Sequence, residues 1–229
     1  NINIIDRSGD GVIIFFLGWG FDDKIFSNST ILDRFNLFCS GVIDGYCKKN
    51  YDIAILYDYR DLEWQDIQRD LDSKYSKKIV FAWSMGVWAC ENIEFKGVQD
   101  FYAINGTSSV AHNIYGIPIS IYDSTMESLS IATLSKFVRR VCDNSSLFNL
   151  VKSIGYRQDI EALKEELFYI KSNSLAEPKY PKLWRSAYVS EDDKIFPFAN
   201  MEKFWSSRGV KFVIVEWSHF PFFNRQESL

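Results

Sequence analysis

The chain has 229 residues, 47% of them hydrophobic and 17% aromatic, which suffices for one large domain with a sizeable core and excludes a disordered chain. Its formal net charge of −4 gives no overall attraction to nucleic acid or to an anionic membrane. The longest apolar stretch, residues 11–21, is too short to cross a bilayer and lacks the flanks of a signal peptide. We therefore expect a cytoplasmic protein that works as a monomer, with neither a nucleic-acid nor a membrane partner.

Six short apolar runs, rich in β-branched and aromatic residues, predict strands. They are continuous rather than alternating, which is typical of strands that are covered on both faces in a parallel sheet. The runs cover residues 11–17, 51–57, 78–83, 98–104, 183–189 and 211–217. Segments with helical spacing lie between or after them, at residues 27–42, 62–75, 84–93 and 197–209. This alternation predicts an α/β fold with a mostly parallel, doubly wound sheet.

Residues 120–180 interrupt the alternation, because they contain no strand-like run. They hold three segments with amphipathic helical spacing, at residues 125–142, 146–154 and 159–173. We predict a core domain formed by residues 1–119 and 181–229, and a helical cap formed by residues 120–180. Such a cap would lie over the carboxyl edge of the sheet, where open α/β sheets bind their ligands.

The cysteines indicate neither a metal site nor a redox pair, because they show no C-x-x-C spacing. They are Cys39, Cys47, Cys90 and Cys142. We expect reduced thiols, no bound metal and no organic cofactor.

Ser84 lies at the junction between a predicted strand, which ends at Trp83, and a predicted helix, which starts near Met85. The pentapeptide Ala82 to Gly86 matches the pattern G-x-S-x-G with alanine in the first place. Small residues two positions before and two positions after the serine allow the tight, strained turn that exposes a nucleophilic serine at a sheet edge. Serine is also a common helix N-cap, so the pentapeptide alone leaves both interpretations open.

A serine nucleophile needs a base, and the chain has only two histidines. His219 directly follows the last predicted strand, where α/β hydrolases place the base in the chain order serine, acid, histidine. His112 lies in a loop before residue 120 and could be an ordinary loop residue.

The acid should follow the preceding strand, and three carboxylates do so: Glu191, Asp192 and Asp193. Three adjacent acids are also typical of a solvated surface turn. The spacing from Asp193 to Pro197, where the next helix starts, favours Asp193, and Asp192 is the alternative.

Two backbone N–H groups should stabilise the oxyanion. One belongs to Met85, the residue after the serine, and the other to Trp19, which lies between Gly18 and Gly20 after the first predicted strand. These glycines could equally just turn the chain. An oxyanion loop, a nucleophile, an acid and a base in this chain order indicate a serine hydrolase with the α/β-hydrolase fold.

Five blocks of the chain resemble the BioG-type pimeloyl-[acyl-carrier protein] methyl ester esterases of biotin biosynthesis. The blocks are FFLGWGFD (15–22), AWSMGVW (82–88), AINGT (103–107), SEDDKIFPFANMEKFW (190–205) and SHFPFF (218–223). The resemblance implies a triad of Ser84, Asp193 and His219, with Trp19 and Met85 at the oxyanion site. It also implies that the chain hydrolyses the methyl ester of pimeloyl-[acyl-carrier protein] to methanol and the free carboxylate.

Residues 136–157 carry five basic side chains and one acid. Three of these, Lys136, Arg139 and Arg140, fall on a predicted helix of residues 120–180, where they could bind an acidic carrier protein and its phosphopantetheine phosphate. An ordinary solvated helix face explains the same pattern. Two other functions also stay open: a general short-chain carboxylesterase or thioesterase, and a non-catalytic carrier-protein binding module.

Overall fold

A seven-stranded sheet forms the centre of the computed structural model, which describes residues 1–43 and 51–224. Its strands are β1 (Ile2–Ile5), β2 (Gly11–Phe16), β3 (Tyr51–Leu56), β4 (Lys77–Trp83), β5 (Val98–Ile104), β6 (Trp184–Ser190) and β7 (Phe212–Val215). They lie in the order β1-β3-β2-β4-β5-β6-β7. β1 pairs with β3 in antiparallel fashion, and the other neighbouring strands pair in parallel.

The strands near the middle of the sheet are the most buried, because helices cover both faces of the sheet. Every residue of β2 and of β3 is buried, as the continuous apolar runs predict. The predicted α/β class is confirmed, and all six predicted strands are present. β1 was not predicted; it has four residues, partly exposed, and lies at the edge of the sheet.

Eight α-helices surround the sheet in the described residues. They are α1 (Ser29–Val42), α2 (Gln65–Lys74), α3 (Gly86–Glu91), α4 (Ile119–Glu127), α5 (Ile131–Cys142), α6 (Ser145–Ile154), α7 (Ile160–Asn173) and α8 (Phe198–Ser207). A short 3-10 turn, Asp23–Ser27, precedes α1. None of the described helices is long and apolar enough to span a membrane.

Four of these helices, α4 to α7, lie between β5 and β6, where the sequence predicts only three. The prediction of one helix over residues 125–142 is wrong, because the chain leaves the helix at Ser128 and enters α5 at Ser130. Ser130 is extended (φ −153°), and its hydroxyl accepts the Thr133 N–H while the Thr133 hydroxyl accepts the Ser130 N–H. This capping box starts a new helix in the middle of an unbroken apolar pattern. We call α4 to α7 the helical insert.

Three of the four cysteines, Cys39, Cys90 and Cys142, are buried free thiols. Burial raises the pKa of each of them. They are therefore core residues rather than reactive ones. Cys47 lies outside the described residues.

Candidate active site

Ser84 occupies a strained turn between β4 and α3. Its φ is +60°, a left-handed conformation that a non-glycine residue adopts only when its surroundings impose it. Two glycines make room for this turn. A Cβ on Gly86 would lie 2.7 Å from the Phe16 carbonyl oxygen, and one on Gly106 would lie 2.2 Å from the Ser84 carbonyl oxygen. The Ser84 N–H donates to the Ile104 carbonyl (2.8 Å), which fixes the turn against β5.

His219 lies next to Ser84, and Asp193 lies next to His219, although both are far from Ser84 in the chain. His219 Nε2 is 2.9 Å from Ser84 Oγ, and His219 Nδ1 is 2.7 Å from Asp193 Oδ2. The other oxygen of Asp193 accepts the N–H groups of Ile195 (2.7 Å) and Phe196 (2.9 Å). All three side chains of the triad are buried. A hydroxyl, an imidazole and an oriented carboxylate in this arrangement can act as a nucleophile, a base and its orienting group.

The acidic turn after β6 exposes Glu191 and Asp192 and buries Asp193. The structure thus brings Asp193, and not Asp192, to the imidazole. His112 lies in its own loop, where Nδ1 accepts the N–H groups of Ile114 and Tyr115, both at 3.1 Å.

Asn105, to which the sequence assigned no role, anchors the loop that carries His219. Its Nδ2 donates to the carbonyls of Ser218 (3.0 Å) and His219 (3.1 Å), and its Oδ1 accepts the N–H of Ser190 (2.9 Å). Asn105 therefore joins the ends of β5 and β6 to the histidine loop. The signal for it was present, because an Asn-Gly pair directly after a strand predicts a left-handed turn, and Asn105 has a φ of +45°.

Two further contacts hold the imidazole in place. The indole of Trp83, the last residue of β4, donates to the His219 carbonyl (2.9 Å). The Phe196 ring is parallel to the imidazole, with an angle of 6° and ring centres 6.0 Å apart. The N–H of Phe220 donates to the Val141 carbonyl of α5 (2.9 Å), so the histidine loop also contacts the helical insert.

Trp19 and Met85 line one narrow cleft beside the triad. Trp19 is in the loop after β2, and a Cβ on the preceding Gly18 would lie 3.2 Å from the Ser84 Cβ, so this loop packs closely against the serine. Gly20 has a φ of +88°, which glycine adopts without strain. The structure thus brings both predicted oxyanion residues to the side of Ser84.

The cleft continues into an open groove of about 440 Å³ between α4 and α5. Ile121, Thr125, Phe137 and Arg140 line both spaces. Lys136 lines the outer groove but not the cleft, and Lys194 lines the cleft but not the groove. The groove and the cleft together lead from the surface of the insert to Met85, the residue after Ser84, and basic side chains line both.

The other three cations of residues 136–157, which are Arg139, the exposed Lys152 of α6, and Arg157, do not line this groove. Arg139 is on the same helix as Lys136, but its guanidinium donates to the Ser145 hydroxyl (2.8 Å) and lies over the Phe148 ring. Arg157 is only partly exposed and is paired with the buried Glu166 (2.5 Å). The five basic residues therefore do not form one continuous surface.

Within residues 1–43 and 51–224, no group of three or more His, Cys, Asp or Glu side chains could hold a metal ion. Ser84 and His219 together offer a nucleophile and a base, which can act on an acyl carbon.

Comparisons with known proteins show which proteins the chain is similar to. Malonyl-[acyl-carrier protein] O-methyltransferase of Bacteroides fragilis is 35% identical over 196 residues, which are 84% of this chain and 36% of that protein. The chain thus spans about a third of that relative's length. The crystal structure of BioG from Haemophilus influenzae is 29% identical and superimposes with a TM-score of 0.76 over 97% of this chain and 94% of its own.

A hydrolase from Pseudomonas aeruginosa shares the fold, with a TM-score of 0.61 at 8% identity over 95% of this chain and 86% of its own. The α/β-hydrolase fold is therefore confirmed. A family model described as "Pimeloyl-ACP methyl esterase BioG" matches residues 1–229. The resemblance seen in the sequence blocks is thus confirmed as well, and the chain belongs to the BioG family of pimeloyl-ACP methyl esterases.

Proposed function

We propose that this chain is a serine carboxylesterase that hydrolyses the methyl ester of pimeloyl-[acyl-carrier protein], releasing methanol and the free carboxylate for biotin biosynthesis. The observation that carries the proposal is the hydrogen-bonded chain from Ser84 through His219 to Asp193, with distances of 2.9 and 2.7 Å. Membership of the BioG family supports the choice of substrate.

The mechanism follows from the order of these contacts. His219 Nε2 takes the Ser84 proton while Oγ attacks the ester carbonyl carbon, and Asp193 stabilises the imidazolium that forms. The N–H groups of Trp19 and Met85 stabilise the oxyanion. The imidazolium then returns the proton to the methoxide oxygen, and methanol leaves. Water, activated by the same imidazole, cleaves the acyl-enzyme and regenerates Ser84.

The helical insert gives the substrate its path in this proposal. Residues 120–180 act as a cap on the core formed by residues 1–119 and 181–229, and the groove between α4 and α5 admits the acyl chain. Apolar side chains such as Phe137 line the path, and Lys136 and Arg140 lie at its rim. Cations there suit an acidic carrier protein and the phosphate of its phosphopantetheine arm. Arg139 contributes less than the sequence suggests, because its guanidinium is bound to Ser145.

Methyl transfer, the activity in the name of the Bacteroides relative, is not part of the proposal. That name describes a protein of which this chain spans 36%, and a serine hydrogen-bonded to histidine serves hydrolysis.

Methanol release from pimeloyl-carrier methyl ester tests the proposal directly. We expect the wild-type chain to release methanol and Ser84→Ala to release essentially none while its fold is kept, because the nucleophile is lost. The control is Ser174→Ala, which removes another buried serine hydroxyl, one that donates to the Lys171 carbonyl in the helical insert (3.4 Å).

The outcomes separate the alternatives. Equal cleavage of free methyl pimelate and of the carrier-bound ester would indicate a general esterase. A fluorophosphonate probe that does not label the wild-type chain would indicate a binding module without catalysis. Methanol release by Ser84→Ala at the wild-type rate would end the serine-esterase proposal.

A further inference from the structure

The loop that carries Trp19 is held by the helical insert as well as by the sheet. The Trp19 indole Nε1 donates to the Leu163 carbonyl of α7 (3.1 Å). The Arg157 N–H, in the segment between α6 and α7, donates to the Gly20 carbonyl (3.0 Å). Both bonds reach the three-residue segment Gly18 to Gly20 from one side of the insert.

Arg157 is itself fixed by two carboxylates from different parts of the fold. Its Nη1 lies 2.5 Å from Glu166 Oε2 on α7, and its Nη2 lies 3.3 Å from Asp58 Oδ1 after β3. Glu166 is fully buried, and its other oxygen accepts the Tyr59 N–H (2.8 Å). Removing one partner of such a pair leaves a buried charge uncompensated. The segment that holds Gly20 is therefore bound to the core through its own side chain.

We propose that Arg157 and the Trp19 indole are positioning groups for the oxyanion loop, so that the helical insert sets the rate of the chemical step. This inference rests on the esterase function proposed above. It assigns to the insert a role in transition-state stabilisation that is separate from substrate access.

The reason why positioning matters is that an oxyanion hole tolerates little displacement of its hydrogen-bond donors. Its donors act only within about 2.7–3.1 Å of the developing charge, and a displacement of about 1 Å can cost about 100-fold in rate. Gly18 packs closely against Ser84, whereas Gly20 has no atom within 4 Å of where its Cβ would be. The bonds from Trp19 to Leu163 and from Arg157 to Gly20 therefore add a restraint on the side of the loop that faces the insert.

Trp19→Phe tests the indole bond. It removes the N–H but keeps an aromatic ring against Phe137, whose ring centre lies 4.9 Å from that of Trp19, and it leaves the Trp19 backbone N–H unchanged. With p-nitrophenyl acetate as the substrate, we expect kcat to fall about tenfold or more while KM stays within about twofold. The control is Trp184→Phe, which removes another buried indole bond, to Glu91 (2.7 Å), and should lower stability without changing kcat.

A second variant tests Arg157. Because Arg157→Gln alone would leave the Glu166 carboxylate unpaired, the variant to measure is Arg157→Gln/Glu166→Gln, which removes both charges. We again expect a fall in kcat of about tenfold or more with little change in KM. A trifluoromethyl ketone, which forms a tetrahedral adduct with Ser84, should bind more weakly by a similar factor. A purely structural role would lower the melting temperature alone.

The two proposals fail in different ways. Wild-type kcat and ketone affinity in a folded Trp19→Phe variant would overturn the positioning role, whether or not the double variant folds. A wild-type chain that cleaves p-nitrophenyl acetate but not pimeloyl-carrier methyl ester would overturn the proposed substrate and leave the positioning test intact. A wild-type chain that cleaves no ester would overturn both.

Discussion

Asp193 orients the imidazole through hydrogen bonds made by both of its oxygens. Oδ1 accepts two backbone N–H groups, from Ile195 and Phe196, and Oδ2 faces His219 Nδ1. In Asp193→Asn the amide oxygen must accept the N–H groups of Ile195 and Phe196, so the NH₂ group faces His219 Nδ1. The imidazole then carries its proton on Nε2 and cannot accept the proton of Ser84. We expect kcat to fall by about 10⁴-fold, measured as methanol release.

The control for this prediction is the adjacent residue. Asp192→Asn makes the same chemical change on an exposed side chain. We expect its activity to stay within about twofold of wild type, since surface substitutions are usually close to neutral. The reverse result, with Asp192→Asn inactive and Asp193→Asn active, would exchange the roles of the two acids.

Asn105 and Asn200 offer a matched pair for the histidine loop. Each is buried and donates its amide to two backbone carbonyls: Asn105 to Ser218 and His219, and Asn200 to two carbonyls in the His112 loop. An Asp at either position places a carboxylate against those carbonyls and should cost about 1–3 kcal/mol of stability. We expect only Asn105→Asp also to lower kcat, by about tenfold, because it displaces His219. Equal kcat in both variants would contradict this.

At the scale of elements, two of the three cations of α5 differ in their surroundings. Lys136 lines the outer groove, whereas Arg139 is bound to Ser145 and lies over Phe148. For Lys136→Glu we expect KM for the carrier-bound ester to rise about fivefold or more, because a like charge at the rim repels an acidic partner. KM for p-nitrophenyl acetate should not change. Arg139→Glu makes the same charge change on the same helix and should raise KM less. A larger rise in KM for Arg139→Glu would place the docking surface on the side of α5 that faces Ser145 and Phe148 of α6.

The elements that could be predicted from the sequence are those with a strong local signal. The continuous apolar runs located β2 to β7, and the chain order of Ser84, Asp193 and His219 located the candidate triad. β1 was missed because four residues with partial exposure carry no clear pattern. The break between α4 and α5 was missed because a capping box interrupts an apolar period that continues through it. The sequence shows Arg157 only as one of the five basic residues of 136–157, since only the tertiary fold brings Glu166 and Asp58 to it.

At the scale of the whole molecule, Asp52 links several elements through one buried carboxylate at the start of β3. Oδ1 accepts the N–H groups of Arg7 (2.8 Å) and Gly9 (2.9 Å), and Oδ2 accepts the Tyr75 hydroxyl (2.5 Å). Burial by itself raises the pKa of this carboxyl, but the hydrogen bonds outweigh it, and the pKa lies below its usual value of 3.8. The ionised form of Asp52 therefore stabilises the folded state.

This shift fixes how global stability depends on pH. Because the folded-state pKa of Asp52 is lowered, its contribution is fully present above about pH 3.8 and is lost as the pH falls through the lower folded-state value. Asp52→Asn should therefore lower the free energy of unfolding at pH 7 by about 1–3 kcal/mol, and its curve should approach that of wild type in acid. Urea unfolding from pH 3 to pH 7 measures this difference. Asp10→Asn, which removes an exposed partner of Lys77, should cost at most about 1 kcal/mol. A wild-type minus Asp52→Asn difference that stays constant down to pH 3 would show that the Asp52 carboxylate is not what stabilises this part of the sheet.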